Sequence, residues 1–208
     1  MRPLLHVITD ETVQTSFTHS ELTRHISTNG ADYVQYREKR AVPTVELCRV
    51  ADEMHDLCGV SGHSKLVVND RVDVAYAVGA AAIHLGRLDL PVFYAREILG
   101  SAARIGATAN SLKEAEEVWH ESIDYLGVGP VYGTSSKSNP AAELGLENLS
   151  RICAASPDPV IAIGNIQLHN VAEVIEAGAA GVAILSAIVC SDDPGQRTAE
   201  FVRELEKC

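Results

Sequence analysis

The sequence predicts one parallel (β/α)8 barrel of the TIM type that spans residues 1–208 as a single domain. Eight short apolar runs alternate with longer amphipathic segments along the chain. The runs are apolar throughout, as expected of parallel strands that are covered on both faces. Glycine follows three of the predicted helices, at Asn29-Gly30, Val78-Gly79 and Ala177-Gly178, and suits the left-handed turn that ends a helix. An open doubly wound sheet is the alternative, although it rarely needs eight such repeats.

Each element has a local reason in the sequence. Pro43 and Gly59 bracket the second helix, and Ser111 supplies a hydroxyl cap to the fifth. The predicted strands are Leu4–Thr9, Tyr33–Arg37, Lys65–Asn69, Ala82–Leu85, Arg104–Ala107, Tyr125–Val128, Val160–Ile163 and Gly181–Leu185. The predicted helices are Ser20–Asn29, Thr44–Cys58, Val72–Val78, Val92–Leu99, Ser111–His120, Leu146–Ala155, Leu168–Ala177 and Pro194–Glu206.

Composition narrows the class of partner. The net charge of −11 argues against binding to a nucleic-acid backbone, although small anions respond to local fields. Five scattered cysteines without a C-x-x-C pair are typical of free thiols in a reducing compartment. No apolar run is long enough to span a membrane, and the first strand leaves no room for a signal segment. We therefore expect a cytoplasmic protein that binds small molecules, with no membrane or nucleic-acid partner and an oligomeric state that the sequence leaves open.

Polar residues collect where the predicted strands end. Function in a (β/α)8 barrel belongs to the loops at this end, whereas the opposite loops carry mostly Gly-Ala. The residues concerned are Asp10 and Glu11, Gln35, Arg37 and Lys39, Asn69 and Asp70, His84 and Asp89, Thr108 and Asn110, Gly164 and Asn165, and Ser186. This asymmetry indicates a binding or catalytic site rather than a purely structural barrel.

Several of these residues also have an ordinary structural interpretation. Arg37 and Lys39 flank Glu38 and could form a surface charge cluster, but with Gln35 in phase on the same strand we favour an anion clamp. Asp70 and Asp89 could each cap a helix; together they suit a Mg²⁺–diphosphate, which typically takes one or two protein carboxylates. His84 stays open between a buried structural role and a catalytic one.

The segment Gly127–Pro140 follows the sixth strand and combines three glycines with hydroxyl side chains and a lysine. It could be a solvated surface loop, yet glycines and small polar donors also suit a phosphate, and Lys137 adds a point charge. The sequence shows no recognisable Ser-His-Asp or Cys-His arrangement, so it does not support covalent catalysis by a protein nucleophile.

These stretches together make the chain resemble the thiamine-phosphate synthase family over nearly its whole length. The stretches that carry the resemblance are Gln35-Tyr-Arg-Glu-Lys39, Val68-Asn-Asp-Arg-Val-Asp-Val74, His84-Leu-Gly with Asp89-Leu-Pro91, Asp124-Tyr-Leu-Gly-Val-Gly-Pro-Val-Tyr132 with Thr134-Ser-Ser-Lys137, and Pro159-Val-Ile-Ala-Ile-Gly164. The family joins hydroxymethylpyrimidine diphosphate to a thiazole phosphate, giving thiamine phosphate and pyrophosphate.

The resemblance implies a role for each matching residue. The pyrimidine diphosphate would be held by Gln35, Arg37, Lys39, Asn69, Thr108 and Lys137, of which Arg37, Lys39 and Lys137 would stabilise the departing diphosphate. The thiazole phosphate would be held by Thr134, Ser135, Ser136, Gly164, Asn165, Leu185 and Ser186. The implied cofactor is Mg²⁺, with Asp70 and Asp89 as its ligands.

Two other functions stay open at this point. A sister family of thiazole tautomerases shares the fold, but it typically lacks the Asn-Asp pair and uses a histidine where this chain has Asn110. A barrel that binds a phosphorylated thiamine precursor without turnover is the other alternative. The chain departs from the synthase pattern at Arg87 and Leu88, and at Asn165, which replaces the second glycine of a Gly-Gly turn.

Overall fold

A computed structural model describes residues 2–133 and 141–208. Its eight parallel strands are hydrogen-bonded in chain order, and the first also pairs with the last, so the sheet closes into a barrel. The strands are β1 (Leu4–Thr9), β2 (Tyr33–Tyr36), β3 (Lys65–Asn69), β4 (Ala82–Leu85), β5 (Arg104–Ala109), β6 (Tyr125–Val128), β7 (Val160–Ile163) and β8 (Gly181–Ile184). The predicted (β/α)8 fold is confirmed.

Helices follow every strand and cover the barrel from outside. They are α1 (His19–Ser27), α2 (Thr44–Ser61), α3 (Val72–Ala77), α4 (Val92–Leu99), α5 (Leu112–Val118), α6 (Gly145–Ala155), α7 (Val171–Glu176), α8 (Ser186–Val189) and α9 (Pro194–Leu205). None of the helices in the described ranges is long and apolar enough to cross a membrane.

The strands divide their side chains between two layers. Val34 and Tyr36 of β2 belong to the large apolar layer shared with the helices, whereas Tyr33 packs with Val67 and Ala82 inside the barrel. Because successive residues of a strand face opposite sides, Gln35 is in phase with Tyr33. Alternate polar side chains near the strand ends therefore point toward the barrel mouth, which is the end of the barrel formed by the carboxyl ends of the strands.

Helix ends account for most differences from the predicted boundaries. α1 begins one residue early, at His19, because Thr18 and Glu21 form a capping box. α2 runs past Gly59 and ends before Gly62, whose φ is +79°. The predicted left-handed glycines are confirmed, with φ values of +97° at Gly30, +61° at Gly79 and +103° at Gly178.

Toward the end of the chain the structure differs from the prediction in two places. α7 begins at Val171 rather than Leu168, since the amide of Gln167 donates to the Asn170 side chain in a turn that precedes the helix. The four-residue helix α8, which starts directly after β8, was not predicted because a single turn is too short to show a helical period.

Candidate active site

Arg37 and the buried Asp10 form an ion pair across the ends of β1 and β2. Asp10 is fully buried, and its other carboxylate oxygen accepts hydrogen bonds from the amide and hydroxyl of Thr12, at 2.8 and 2.6 Å. Burial lowers the pKa of Arg37, and the nearby Asp70 opposes that shift. Asp10 thus holds the guanidinium in place at the barrel mouth.

Lys39, Asp70 and Asp89 come together at the ends of β2, β3 and β4. Lys39 is ion-paired with Asp70, whose backbone adopts a φ of +64° while its amide donates to the carbonyl of His84 at 2.9 Å. Asp89 accepts a 2.6 Å hydrogen bond from the amide of Gly86. Three residues that are far apart in the chain therefore share one corner of the mouth.

The electrostatics of this corner couple the two carboxylates to each other. The pKa of Asp89 is raised to about 6, first by burial and then by a hydrogen bond with Asp70 and repulsion from its charge; the amide of Gly86 and Lys39 act in the opposite direction. One lysine does not neutralise both carboxylates. A divalent cation fits this donor set, because oxygen ligands and excess negative charge are what Mg²⁺ requires.

The alternative that Asp70 and Asp89 are helix caps is wrong. The cap positions of α3 and α4 are occupied by Arg71 and Pro91, and neither makes a side-chain capping hydrogen bond. Both carboxylates are directed to other partners, Lys39 and the amide of Gly86. Neither carboxylate is therefore explained by helix capping.

His84 belongs to a polar group inside the barrel. Its Nε2 lies 2.9 Å from the hydroxyl of Thr108, and its Nδ1 lies 3.2 Å from the hydroxyl of Tyr125, on which the ring also stacks. Gly127 makes room for the imidazole, since a Cβ there would lie 2.6 Å from Cε1 of His84. The histidine is half-buried and orients Thr108, one of the predicted pyrimidine-binding residues.

Tyr125 was not recognised as part of this group from the sequence. Its ring fills the space left by Gly106, where an added Cβ would lie 2.0 Å from the ring. Burial raises the pKa of Tyr125 strongly, so its hydroxyl remains protonated. The signal that could have revealed it is the spacing: Tyr125 and Gly127 share one face of β6, opposite the glycine of β5.

The ends of β7 and β8 form a second, less charged part of the mouth. Gly164 has a φ of +113°, and a Cβ there would lie 2.5 Å from Cα of Pro130. Asn165 follows with a φ of +49°, which is the left-handed conformation expected for the glycine that it replaces. Leu185 occupies the cap position of α8, and Ser186 begins that helix at the surface.

Other predicted positions have ordinary environments. Gln35 lies within β2 and is almost fully buried, and Asn69 is the last residue of β3 and is half-buried. Arg87 forms ion pairs with Glu114 and Glu117 of α5, at 3.1 and 3.3 Å, whereas Leu88 is fully exposed. The predicted residues Thr134, Ser135, Ser136 and Lys137 lie outside the described residues.

Paired carboxylates with a lysine and an arginine at the mouth of a (β/α)8 barrel define the class: a barrel enzyme with a charged site at the carboxyl ends of its strands. A family model described as thiamine monophosphate synthase matches residues 5–188 of the chain. The chain belongs to that family.

The sequence similarity to individual relatives extends over almost the whole chain. It is 41% identical over 197 residues to a thiamine-phosphate synthase of Salinibacter ruber, covering 95% of this chain and 86% of the relative. A second thiamine-phosphate synthase, from Methanoculleus marisnigri, is 42% identical over 189 residues, covering 91% and 89%. The solved structure of a thiamine phosphate pyrophosphorylase from Pyrococcus furiosus superposes with a TM-score of 0.88 at 34% identity, covering 98% of this chain and 96% of the other.

Proposed function

We infer that this chain catalyses the synthase reaction of its family, joining hydroxymethylpyrimidine diphosphate to thiazole phosphate with release of pyrophosphate. The observation that carries the assignment of the site is the convergence of Lys39, Asp70 and Asp89 at one corner of the mouth. Each matches a position that the family resemblance implicates in diphosphate binding. Arg37, which is paired with Asp10, is a second positively charged side chain at the end of the adjacent strand.

The chemistry requires a site that stabilises a leaving group. The bond from the pyrimidinyl methylene carbon to the diphosphate oxygen breaks, and the diphosphate departs with the electron pair. Arg37, Lys39 and Lys137 are proposed to stabilise the negative charge that accumulates there. Mg²⁺ held by Asp70 and Asp89 would supply further charge neutralisation when bound.

The second half of the reaction needs positioning rather than a protein nucleophile. The aminopyrimidine delocalises the positive charge on the methylene carbon, and the lone pair of the thiazole nitrogen forms the new carbon–nitrogen bond. We propose that Gln35, Asn69 and Thr108 hold the pyrimidine, with Thr108 oriented by His84 at 2.9 Å. Thr134, Ser135, Ser136, Gly164, Asn165, Leu185 and Ser186 are the proposed contacts of the thiazole phosphate.

Product identification tests this function directly. The purified chain is incubated with both substrates and Mg²⁺, and thiamine phosphate and pyrophosphate are quantified together by chromatography. We expect equal amounts of the two products and loss of both when the divalent cation is chelated. Tight binding of either substrate without product would favour a binding protein, and isomerisation of a thiazole carboxylate phosphate would favour a tautomerase. Either result would refute the synthase function.

A further inference from the structure

A second cluster of metal-ligand type lies beside the candidate active site, around the ends of β1 and β2. Glu11, His19 and Glu38 each offer one ligand atom, and these atoms lie within 4.8 Å of one another. Nε2 of His19 is 3.5 Å from a carboxylate oxygen of Glu38 and 3.9 Å from one of Glu11. The cluster shares no residue with the Asp70–Asp89 pair.

The hydrogen bonds of His19 are compatible with a neutral ring whose Nε2 is free to bind a metal. The hydroxyl of Thr9 lies 2.7 Å from Nδ1 of His19 and 3.2 Å from the carbonyl oxygen of Gln35, so it can accept from Nδ1 while it donates to that carbonyl. A neutral ring that donates an Nδ1 hydrogen to this hydroxyl leaves Nε2 with a lone pair. Burial lowers the pKa of His19, although Glu11 and Glu38 partly oppose it, which favours the neutral form.

The remaining nitrogen of His19 is then an unused ligand atom. Only 2% of the side chain is exposed, and within the described part of the chain Nε2 has no hydrogen-bond partner. With the hydrogen on Nδ1, this nitrogen presents a lone pair toward two carboxylates, which is unfavourable unless a positive charge lies between them.

Charge counting favours a cation at this position. The two glutamates share one guanidinium, since Arg40 pairs with Glu11 at 2.7 Å and also with Glu38. Burial works to raise the pKa of Glu38, but hydrogen bonds from Arg40 outweigh it, so the net shift is downward and Glu38 is ionised. With a neutral imidazole the cluster keeps one negative charge in excess.

The distances also suit one class of cation. Four ligands about 2.0–2.2 Å from Zn²⁺ in a tetrahedron lie about 3.4 Å apart, close to the 3.5 and 3.9 Å separations from Nε2 of His19. An imidazole with carboxylates suits Zn²⁺ and similar transition metals better than Mg²⁺, which prefers an all-oxygen shell.

We propose that Glu11, His19 and Glu38 form a second metal site, which takes a transition-type divalent cation such as Zn²⁺ with a fourth position left for water. A bound cation would join three parts of the fold: the loop after β1, the first residue of α1, and the segment after β2. That segment carries Arg37 and Lys39 on either side of Glu38. The metal site would thus fix the position of the segment whose arginine and lysine are proposed to bind the diphosphate.

Zn²⁺ titration of the full chain in excess Mg²⁺ tests the proposal, because Mg²⁺ keeps an all-oxygen site filled. Calorimetry should find one Zn²⁺ bound per chain, and His19→Gln should weaken binding by at least roughly 10- to 100-fold. His25→Gln is the matched control, since it removes an exposed imidazole from the same helix and should leave Zn²⁺ binding unchanged. Arg40→Gln should strengthen binding by about tenfold, because it removes a competing positive charge.

A measurement on the unaltered chain guards against a misfolded variant. In nitrogen-15 spectra of the histidine side chains, the Nε2 resonance of His19 should shift as Zn²⁺ is added, and the melting temperature should rise with Zn²⁺ concentration. A His19 ring that keeps a proton on Nε2 at saturating Zn²⁺, as the imidazolium or as the neutral Nε2–H tautomer, would show that this nitrogen binds no metal and would overturn the proposal. Zn²⁺ binding that is equal in the unaltered chain and His19→Gln would overturn it as well. No substrate is present, so neither result depends on the synthase function.

Discussion

The pH dependence of Mg²⁺ binding tests the contact between Asp70 and Asp89. The pKa of Asp89 is about 6, so a proton competes with the cation at this carboxylate near neutral pH. Below this pKa the apparent Mg²⁺ affinity should fall about tenfold per pH unit, because ligands bind metal only when deprotonated. At about pH 5 only about a tenth of the molecules carry an ionised Asp89, which predicts a roughly tenfold loss relative to about pH 7.5.

Calorimetric titration with Mg²⁺ at a series of pH values measures this directly, with Mn²⁺ as a spectroscopic check. Asp89→Asn should bind more weakly and lose the transition near pH 6, since the titrating group is gone. Lys39→Gln should move the transition to higher pH, because Lys39 holds the pKa of Asp89 down. An affinity that stays constant to about pH 5, or a transition near the ordinary aspartate pKa of about 3.9, would refute the reasoning.

Three further substitutions test other parts of the account. Gly127→Ala should destabilise the protein by about 1–3 kcal/mol in chemical denaturation, because the new Cβ would lie 2.6 Å from the ring of His84. Asp10→Asn should cost about 3–5 kcal/mol of unfolding free energy and weaken diphosphate binding, since it leaves Arg37 without its buried partner. Asn165→Gly should stabilise the protein by about 1 kcal/mol, since φ is +49° there, and should lower KM for the thiazole phosphate by removing a side chain from its proposed site.

Each of these has a defined control or contrary result. Gly59→Ala is the matched control for the crowding argument: nothing lies within 4 Å of its added Cβ, and in helix α2 the change should stabilise by about 0.5–1 kcal/mol. If Gly127→Ala does not lower the free energy of unfolding either, the imidazole of His84 is not packed against Gly127. A stable Asp10→Asn would show that Arg37 does not depend on that carboxylate. An unchanged KM in Asn165→Gly would remove this residue from the proposed thiazole-phosphate contacts.

The fold could be predicted from the sequence because each βα unit carries its own local signals. Uniformly apolar strands indicate a sheet covered on both faces, and glycines such as Gly30 and Gly178 terminate helices through conformations that other residues avoid. Segments whose apolar residues show no helical or strand periodicity were harder to predict. The single turn of α8 shows no pattern, and the longer extent of α2 depends on Gly62 rather than Gly59.

The positions of the site residues could be predicted where they follow directly from the ends of the strands. The polar residues after β2, β3 and β4 could be expected to meet, because the carboxyl ends of parallel strands share one end of a barrel. Which partner each would choose depends on side-chain geometry between distant segments. The pairing of Arg37 with Asp10, and the cluster that His19 forms with two glutamates, leave no local trace in the sequence.

The most direct test of the proposed mechanism is the Mg²⁺ dependence of a single turnover in the unaltered chain and in Asp70→Asn and Asp89→Asn. Rapid quenching followed by quantification of thiamine phosphate gives the rate of bond formation, and circular dichroism confirms that each variant is folded. We predict a rate that saturates with Mg²⁺ in the unaltered chain and falls by about 100-fold or more in each variant, because the charge of the departing diphosphate is no longer neutralised. Variants that keep both the rate and the Mg²⁺ dependence of the unaltered chain would contradict the assignment of these carboxylates.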